Sequence, residues 1–265
     1  MINERSHYKY SIIYNTCDKY DALWPGFFSF LIKYWPNCNR RIIFNSENKS
    51  FQYDGFELIK PINNRIEDSW SQRLLNSLDC VNDNYVLMIL DDFYLKSPVN
   101  ESVLFECIDR MDKDKNIKCY TFAWQPGRNI ADKEQKDFEL RRRFARYRVN
   151  AQIGLWRVDY LRKILRTYET PWQYELSGSF RSSIIGGKFL SLKKDAPLVF
   201  DYDFGFLIIR GKINRAISRY FTEKEALTMD FPYDEYVVST EKKNGLRLFR
   251  IIKYVYEMIV SLFRH

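Results

Sequence analysis

The stretch YVLMILDDFYLKSPV at residues 85–99 decides the fold of this 265-residue chain. Its first six residues, Tyr85–Leu90, are an uninterrupted apolar run of strand length, and a strand without polar alternation is typically buried on both faces. Parallel sheets covered by helices contain such strands, so the run predicts the centre of an α/β sheet. It ends abruptly at Asp91 and Asp92, which places two carboxylates at the end of a central strand.

Strand-like and helix-like segments alternate on both sides of this run. They predict a mainly parallel central sheet flanked by helices, with residues 1–243 as one domain and 244–265 as a C-terminal amphipathic helix. The predicted strands are 10–15, 41–45, 56–59, 118–123 and 153–156, with a strand-rich stretch at 198–209. The predicted helices are 19–34, 69–81, 103–111, 158–168 and one near 214–221, together with a charged helix at 131–147.

The composition narrows the classes of function. The net charge of +8 indicates an anionic partner, which leaves nucleic acid, a phosphate-bearing substrate and an acidic membrane surface open. His7 and His265 are the only histidines, so histidine-based nucleophilic catalysis and histidine metal sites are disfavoured, and carboxylates must carry any proton chemistry. Five cysteines without a C-x-x-C pair fit a reducing compartment. Neither a secretory signal nor a membrane-spanning run is predicted.

The predicted C-terminal helix has a narrow polar stripe and a wide apolar face. This pattern is typical of a helix that lies on a membrane surface, and it equally fits a helix docked on its own domain or on a partner subunit. The stripe comprises Arg247, Arg250, Lys253, Glu257, Ser261 and Arg264.

Acidic and polar residues follow two of the predicted parallel strands. Asp91 and Asp92 end the central strand, and Thr16 and Asp18 follow the first strand. Ligands of such sheets bind beyond the carboxyl ends of the strands. Adjacent carboxylates repel each other unless a cation compensates them, and Mg²⁺ or Mn²⁺ is the usual compensation. The alternative is an ordinary acidic turn or a helix cap.

Several short motifs occur in a characteristic order over residues 10–215. They are an aspartate in the N-terminal loop (Asp18), a W-S-x-R helix (70–73), the strand followed by DDF (85–93), and a PW-x-Y-E segment (171–175). Together they resemble GT-A-type glycosyltransferases, especially bacterial capsule and O-antigen transferases with a DDF motif. The resemblance implies a GT-A-like, Rossmann-like fold. In this chain Phe93 replaces the second acid of the common Asp-x-Asp motif. Adjacent residues of an extended chain point to opposite sides, so a metal would meet Asp92 alone, with Asp91 toward the donor ribose or sugar.

The resemblance also implies roles for individual residues. Glu175 would be the catalytic base of an inverting transfer, and Trp172 would lie beside the sugar; the alternative is that Glu175 caps a helix and Trp172 packs in the core. Asp92 would hold Mn²⁺ or Mg²⁺. The residues expected to bind the donor are Thr16, Asp18, Arg73, Asp91, Asp92 and Lys212. Independently of the resemblance, the basic run at 141–148 would hold a phosphate-linked acceptor or nucleic acid, or form the basic face of a helix.

The expected activity follows from these roles. It is transfer of a monosaccharide from a nucleotide diphosphate sugar, a UDP-sugar first, to a glycan or polyprenyl-linked acceptor in surface polysaccharide biosynthesis. The expected location is the cytoplasm, peripheral to the inner face of the membrane, with no nucleic acid as partner. Two alternatives stay open, namely a nucleic-acid-binding protein and a glycoside hydrolase with paired carboxylates.

Overall fold

The computed structural model describes residues 9–127, 129–202, 207–224, 231–237, 256 and 258–264. Within them the predicted α/β class is confirmed, with a nine-stranded sheet flanked by helices. The strands are β1 (Tyr10–Asn15), β2 (Arg41–Asn45), β3 (Glu57–Ile59), β4 (Tyr85–Leu90), β5 (Ile117–Trp124), β6 (Ile130–Ala131), β7 (Phe138–Leu140), β8 (Gly154–Arg157) and β9 (Lys188–Leu192), with a separate hairpin of β10 (Ile208–Ile209) and β11 (Lys212–Ile213).

Six α-helices accompany the strands in the described part of the chain. They are α1 (Trp24–Tyr34), α2 (Trp70–Leu78), α3 (Glu101–Lys113), α4 (Val158–Ile164), α5 (Pro171–Ile185) and α6 (Arg215–Arg219). A 3₁₀ helix (Asp18–Leu23) leads into α1, and a π-helical segment (Tyr220–Lys224) follows α6. Pro171 begins α5, and the Thr170 side chain accepts the Gln173 N–H and caps the helix.

The strand order is β3-β2-β1-β4-β8-β5-β9-β7-β6. The first four strands pair in parallel, whereas β8 lies antiparallel between β4 and β5. With β7 as the other reversed strand, seven of the nine strands point the same way. The carboxyl ends of β1, β2 and β4 therefore meet at one edge of the sheet.

Apolar residues cover both faces of the sheet, as the uninterrupted apolar strands require. Ile12 packs in a large cluster with residues of α1 and α3, while its neighbour Ile13 packs in a smaller cluster with residues of α2, α4 and α5. Successive side chains of a strand point to opposite faces, so β1 is buried on both.

The charged helix predicted at residues 131–147 is wrong. This stretch forms β6, β7 and a series of turns. Arg141 and Arg148 are buried there, and the Arg141 guanidinium donates to the main-chain oxygens of Gln125, Pro126 and Arg146. A run of charged residues is typical of an exposed helix, which is why a helix was predicted here. In the structure these arginines instead bind main-chain oxygens of an irregular loop, an interaction without helical periodicity.

Two further expectations need correction. The stretch 198–209 is largely irregular among its described residues, with a bridge at Tyr202 and the short β10. Its apolar residues pack in the core instead, for example Phe200 against Trp35. The strand β9 was not predicted, although it pairs in parallel with β5 and is the third strand from one edge of the sheet.

The helix predicted at 246–265, and with it the boundary at residue 244, lies mostly outside the described residues. Residues 256 and 258–263 are helical. The side of this helix that carries Ser261 meets the domain, since the Arg166 Nε donates to the main-chain oxygen of Ser261 (3.1 Å). Arg264, directly after the helix, stacks on the Tyr168 ring. Among the described helices, none has the length and apolar character needed to cross a bilayer.

Candidate functional site

The candidate site begins at a tight turn that follows β4. The Phe93 N–H donates to the Leu90 oxygen (3.2 Å), which leaves Asp91 and Asp92 as the two central residues of the turn. The expectation of an extended chain at this point is therefore wrong. The two carboxylates nevertheless have different surroundings, as their partners show.

Asp91 faces β1. Its side chain is only 7% exposed, and its Oδ2 accepts the Thr16 hydroxyl at 2.5 Å. Thr16 in turn accepts the indole N–H of Trp24 at 2.7 Å. Burial and the neighbouring Asp92 raise the pKa of Asp91 well above its usual value. The structure thus brings Thr16 and Asp91 together as the sequence predicts.

Asp92 lies beside the β10–β11 hairpin, and the main-chain N–H of Ile208 stabilises its ionised form. Burial nevertheless raises the pKa of Asp92 to about 7. The ring of Tyr202 stacks on that of Phe93 at 4.3 Å, and the Tyr202 hydroxyl donates to Gln152 (2.7 Å). The turn thus contains two partly desolvated carboxylates, and the described residues compensate their negative charges poorly.

The burial of Asp92 predicts a pH-dependent stability. An acid whose folded-state pKa lies above its unfolded value of 3.8 holds its proton more tightly when folded, so its contribution to stability falls as pH rises from about 4 to about 7. We expect Asp92→Asn to raise the Tm of the cation-free protein at pH 8, and the gain to shrink towards pH 4. Mn²⁺ should raise the Tm of the wild type at pH 8 but not that of the variant. Equal Tm values for the two proteins at pH 8 would contradict the prediction.

A chain of carboxamides lies beside the turn and joins the strand ends to α2. The Asn45 amide donates to the Asn15 side chain (2.9 Å), Asn64 donates to Asn45 (3.0 Å), and Asn76 donates to Asn64 (3.1 Å). Asn15 and Asn45 are fully buried at the ends of β1 and β2. Sequence reasoning missed Asn45 and Asn64, although the position of Asn45 at a strand end was the available signal.

Asp18 and Arg73 belong to one network with Glu47, another residue that the sequence analysis missed. The Asp18 carboxylate accepts the main-chain N–H groups of Glu47, Asn48 and Lys49 at 2.9–3.1 Å. Arg73 is buried and pairs with the Glu47 carboxylate at 2.9 Å. Their direct contacts hold the loop after β2, and the buried Arg73 Nε has no hydrogen-bond partner among the described residues.

Lys212 is exposed on β11 and pairs with Ile209, the residue after Ile208, whose main-chain N–H contacts Asp92. The hairpin turns at Gly211, whose φ of 80° suits glycine, and a side chain there would lie 3.2 Å from the Lys19 Nζ. Lys212 thus belongs to the hairpin whose main chain contacts Asp92.

Glu175 and Trp172 come from the first turns of α5. The Glu175 Oε1 accepts the Ala151 N–H at 2.9 Å, and burial raises the pKa of the carboxyl. Residue 151 leads into β8, which runs antiparallel to β4 with Gly154 opposite Met88, so it lies at the same edge as Asp91. Thr170, not Glu175, caps α5, and Trp172 is 72% exposed. The alternatives of a helix cap and a core tryptophan are therefore wrong.

The carboxylate pair has the chemistry that a hard divalent cation needs. Two carboxylates lie next to each other in one turn, and burial raises the pKa of both, so a bound cation would favour their ionised forms. The described residues contain no cluster of three or more metal-ligating side chains. The turn therefore fits an ion that takes its remaining ligands from water or from substrate phosphates.

No family model matches the sequence, and no curated protein matches it. Several solved structures are similar in shape. TarS of S. aureus (residues 1–349, in complex with UDP-GlcNAc) has 11% identity and a TM-score of 0.47, and the match covers 71% of this chain and 56% of that one. A cytidylyltransferase from Leptospira borgpetersenii has 13% identity and a TM-score of 0.48, with 96% and 97% covered. Because both TM-scores lie below 0.5, neither similarity assigns a function to this chain.

Proposed function

We propose that this protein is a glycosyltransferase that moves a monosaccharide from a nucleotide diphosphate sugar to a hydroxyl of a glycan. The observation that carries the proposal is the crowded carboxylate pair at the carboxyl end of β4, next to Thr16 at the end of β1. A site that is short of positive charge and lies beyond the ends of parallel strands suits a diphosphate with its cation.

In this proposal the donor lies across the ends of β1, β2 and β4. Asp92 would hold Mn²⁺ or Mg²⁺, which supplies positive charge to the diphosphate leaving group. Thr16 positions Asp91 toward the donor ribose or sugar. Arg73 and Asp18 shape the loop after β2 against the nucleotide, and Lys212 neutralises the charge that develops on the leaving diphosphate.

The acceptor would approach from the side of α5. Glu175 takes the proton of the attacking hydroxyl while that oxygen bonds to the anomeric carbon and the nucleotide diphosphate leaves, which inverts the configuration. The raised pKa of Glu175 brings it nearer to neutral pH, where a general base works best. Trp172, exposed one turn before it, offers an aromatic face to the sugar.

A thermal-shift screen of nucleotide sugars with and without Mn²⁺ tests the donor directly. A ligand that binds the native state at 100 times its Kd stabilises it by about 2.7 kcal/mol, which gives a clear rise in Tm. We expect a UDP-sugar with Mn²⁺ to give the largest rise. Stabilisation by oligonucleotides that fades steeply with salt would favour a nucleic-acid-binding protein instead. Free sugar released from an oligosaccharide without nucleotide would favour a glycoside hydrolase.

The C-terminal helix supports a location on the inner membrane surface, near a polyprenyl-linked acceptor. Its described residues place Tyr256, Ile259 and Phe263 toward solvent, all largely exposed, while Ser261 is buried against the domain. An apolar face turned outward is suited to a lipid surface, and the basic residues that the sequence gives this segment would add attraction to anionic lipid. Surface polysaccharide biosynthesis is the process in which such an acceptor occurs.

We expect removal of residues 246–265 to release the protein from anionic liposomes while the nucleotide-sugar donor still binds. Each basic residue near an anionic surface contributes about 1 kcal/mol, and the apolar side chains add burial in the headgroup region. Cosedimentation with vesicles is the measurement. The double substitution Ile259→Ser and Phe263→Ser in the full chain is a second test of the same face. It leaves Ser261 at the domain and should also weaken liposome binding. Equal liposome binding by all forms, or unfolding on truncation, would contradict the membrane location.

A further inference from the structure

A cleft of about 250 Å³ opens beside Glu175, between the 144–147 loop, α5 and the C-terminal helix. Its walls include Phe144, Tyr147 and Phe180 as aromatic groups, Leu176 and Met258 as aliphatic ones, and Arg146 as the charged one. Ser179 also lines the cleft and lies about one helical turn after Glu175, and the charge of Arg146 is near enough to Glu175 to counter the rise in its pKa. The cleft therefore adjoins the residue to which the proposed function assigns the acceptor proton.

The loop that forms one wall is held in a costly conformation. Phe144 and Tyr147 have φ values of 60° and 55°, a region that residues other than glycine rarely adopt. Hydrogen bonds to α5 hold the loop in this conformation. The Phe144 N–H donates to the Ser183 hydroxyl (2.9 Å), and the Arg143 guanidinium donates to the Ser183 main-chain oxygen (2.6 and 2.8 Å). As a result Phe144 stays 66% exposed at the cleft instead of packing in the core.

Among the described residues that line the cleft, Arg146 is the one cation. Arg146 is exposed, and its guanidinium stacks on the Tyr147 ring at 4.7 Å, with one amine donating to the Tyr147 hydroxyl (2.9 Å). Arg143 is engaged with Ser183, and the exposed Arg142 does not line the cleft. Aromatic faces suit the apolar face of a sugar ring, and a single guanidinium matches a single negative charge better than a diphosphate, which needs several cations.

We propose that this cleft binds an acidic sugar of the acceptor glycan, with the ring against Phe144 and Tyr147 and its carboxylate on Arg146. The inference rests on the proposed function, because it takes the glycan beside Glu175 to be the acceptor. The acceptor is then an anionic glycan, and Arg146 is the residue that selects it over a neutral glycan.

Direct binding of tetragalacturonate, compared with its fully methyl-esterified form, tests the inference without any transfer reaction. The ester keeps the sugar rings and removes the charge. Titration calorimetry of the full chain should show about tenfold tighter binding of the acid, the scale of one charge-assisted hydrogen bond. Arg146→Gln should remove this preference, Arg142→Gln should keep it, and Phe144→Ala should weaken the binding of both forms alike.

Three results would overturn the inference. They are no binding of the acid, equal binding of acid and ester by the wild type, and an equal loss of preference in the Arg142 and Arg146 variants, which would indicate diffuse charge. Circular dichroism of each variant shows whether it is folded; Arg146 and Arg142 are exposed, so both should be. The nucleotide-sugar screen reports separately on the proposed function, so the failure of one is distinguishable from the failure of the other.

Discussion

Asp92→Ala is expected to lower glycosyl transfer by roughly 10²–10³-fold or more while the protein stays folded. The substitution removes the carboxylate that would hold the cation against the leaving diphosphate, and losing one such electrostatic group commonly has an effect of this size. The fold should persist because the carboxylate is crowded by Asp91 and its removal relieves repulsion. Initial rates at saturating donor, with and without Mn²⁺, are the measurement.

Asp195→Ala is the matched control for this variant. Asp195 follows β9 at the same edge of the sheet but is exposed and lies several strands away, so its loss should leave the rate unchanged. Activity of the Asp92 variant within a few-fold of the wild type would remove Asp92 from the site. Full turnover of the wild type in excess EDTA would show instead that the DDF sequence serves a metal-free transfer.

Glu175→Gln is expected to lower kcat by about 10²–10⁴-fold, the range for a lost general base. The amide oxygen can still accept the Ala151 N–H, so the loop before β8 and the donor affinity should be preserved. The pH profile gives a second readout. The raised pKa of Glu175 predicts an acid limb in kcat that begins at higher pH than for an ordinary glutamate, and the variant should lose it.

Glu139→Gln is the control here, since that glutamate belongs to β7 at the far side of the sheet and bonds to Asn129. A Glu175 variant with normal kcat, or a product that retains the anomeric configuration of the donor, would exclude this role. Unchanged donor affinity together with a lost acid limb would separate a base from a residue that only holds the loop.

The sequence predicts the amino-terminal half of the fold well because its strands are apolar and its helices periodic. The bounds of β1, β2 and β4 agree with the prediction residue for residue. The stretch around Arg141 was predicted as a helix because buried arginines that bind main-chain oxygens look like a surface in sequence. β9 was missed because KFLSL is short and adjoins two glycines that favour a loop.

The site was predictable where it depends on strand ends and not where it depends on distant contacts. Thr16 and Asp91 share an edge because parallel strands share their ends, and the structure joins them. The pairing of Glu47 with Arg73 and the bond from Ala151 to Glu175 link segments 24 or more residues apart, which no local pattern encodes. The hydrogen-bond partners of the Asp18 and Glu175 carboxylates could therefore be identified only from the three-dimensional structure.

The antiparallel β8 has a consequence for how the chain is made. The first 90 residues contain β3, β2, β1 and β4, which can pair as soon as they leave the ribosome. One edge of β4 stays unpaired until residues 154–157 have been synthesised. Until then YVLMIL presents an unpaired apolar edge, the kind of surface on which nascent chains aggregate. Translation that stalls before β8 would therefore yield a chain with both aspartates present, no Glu175, and a strong need for a chaperone.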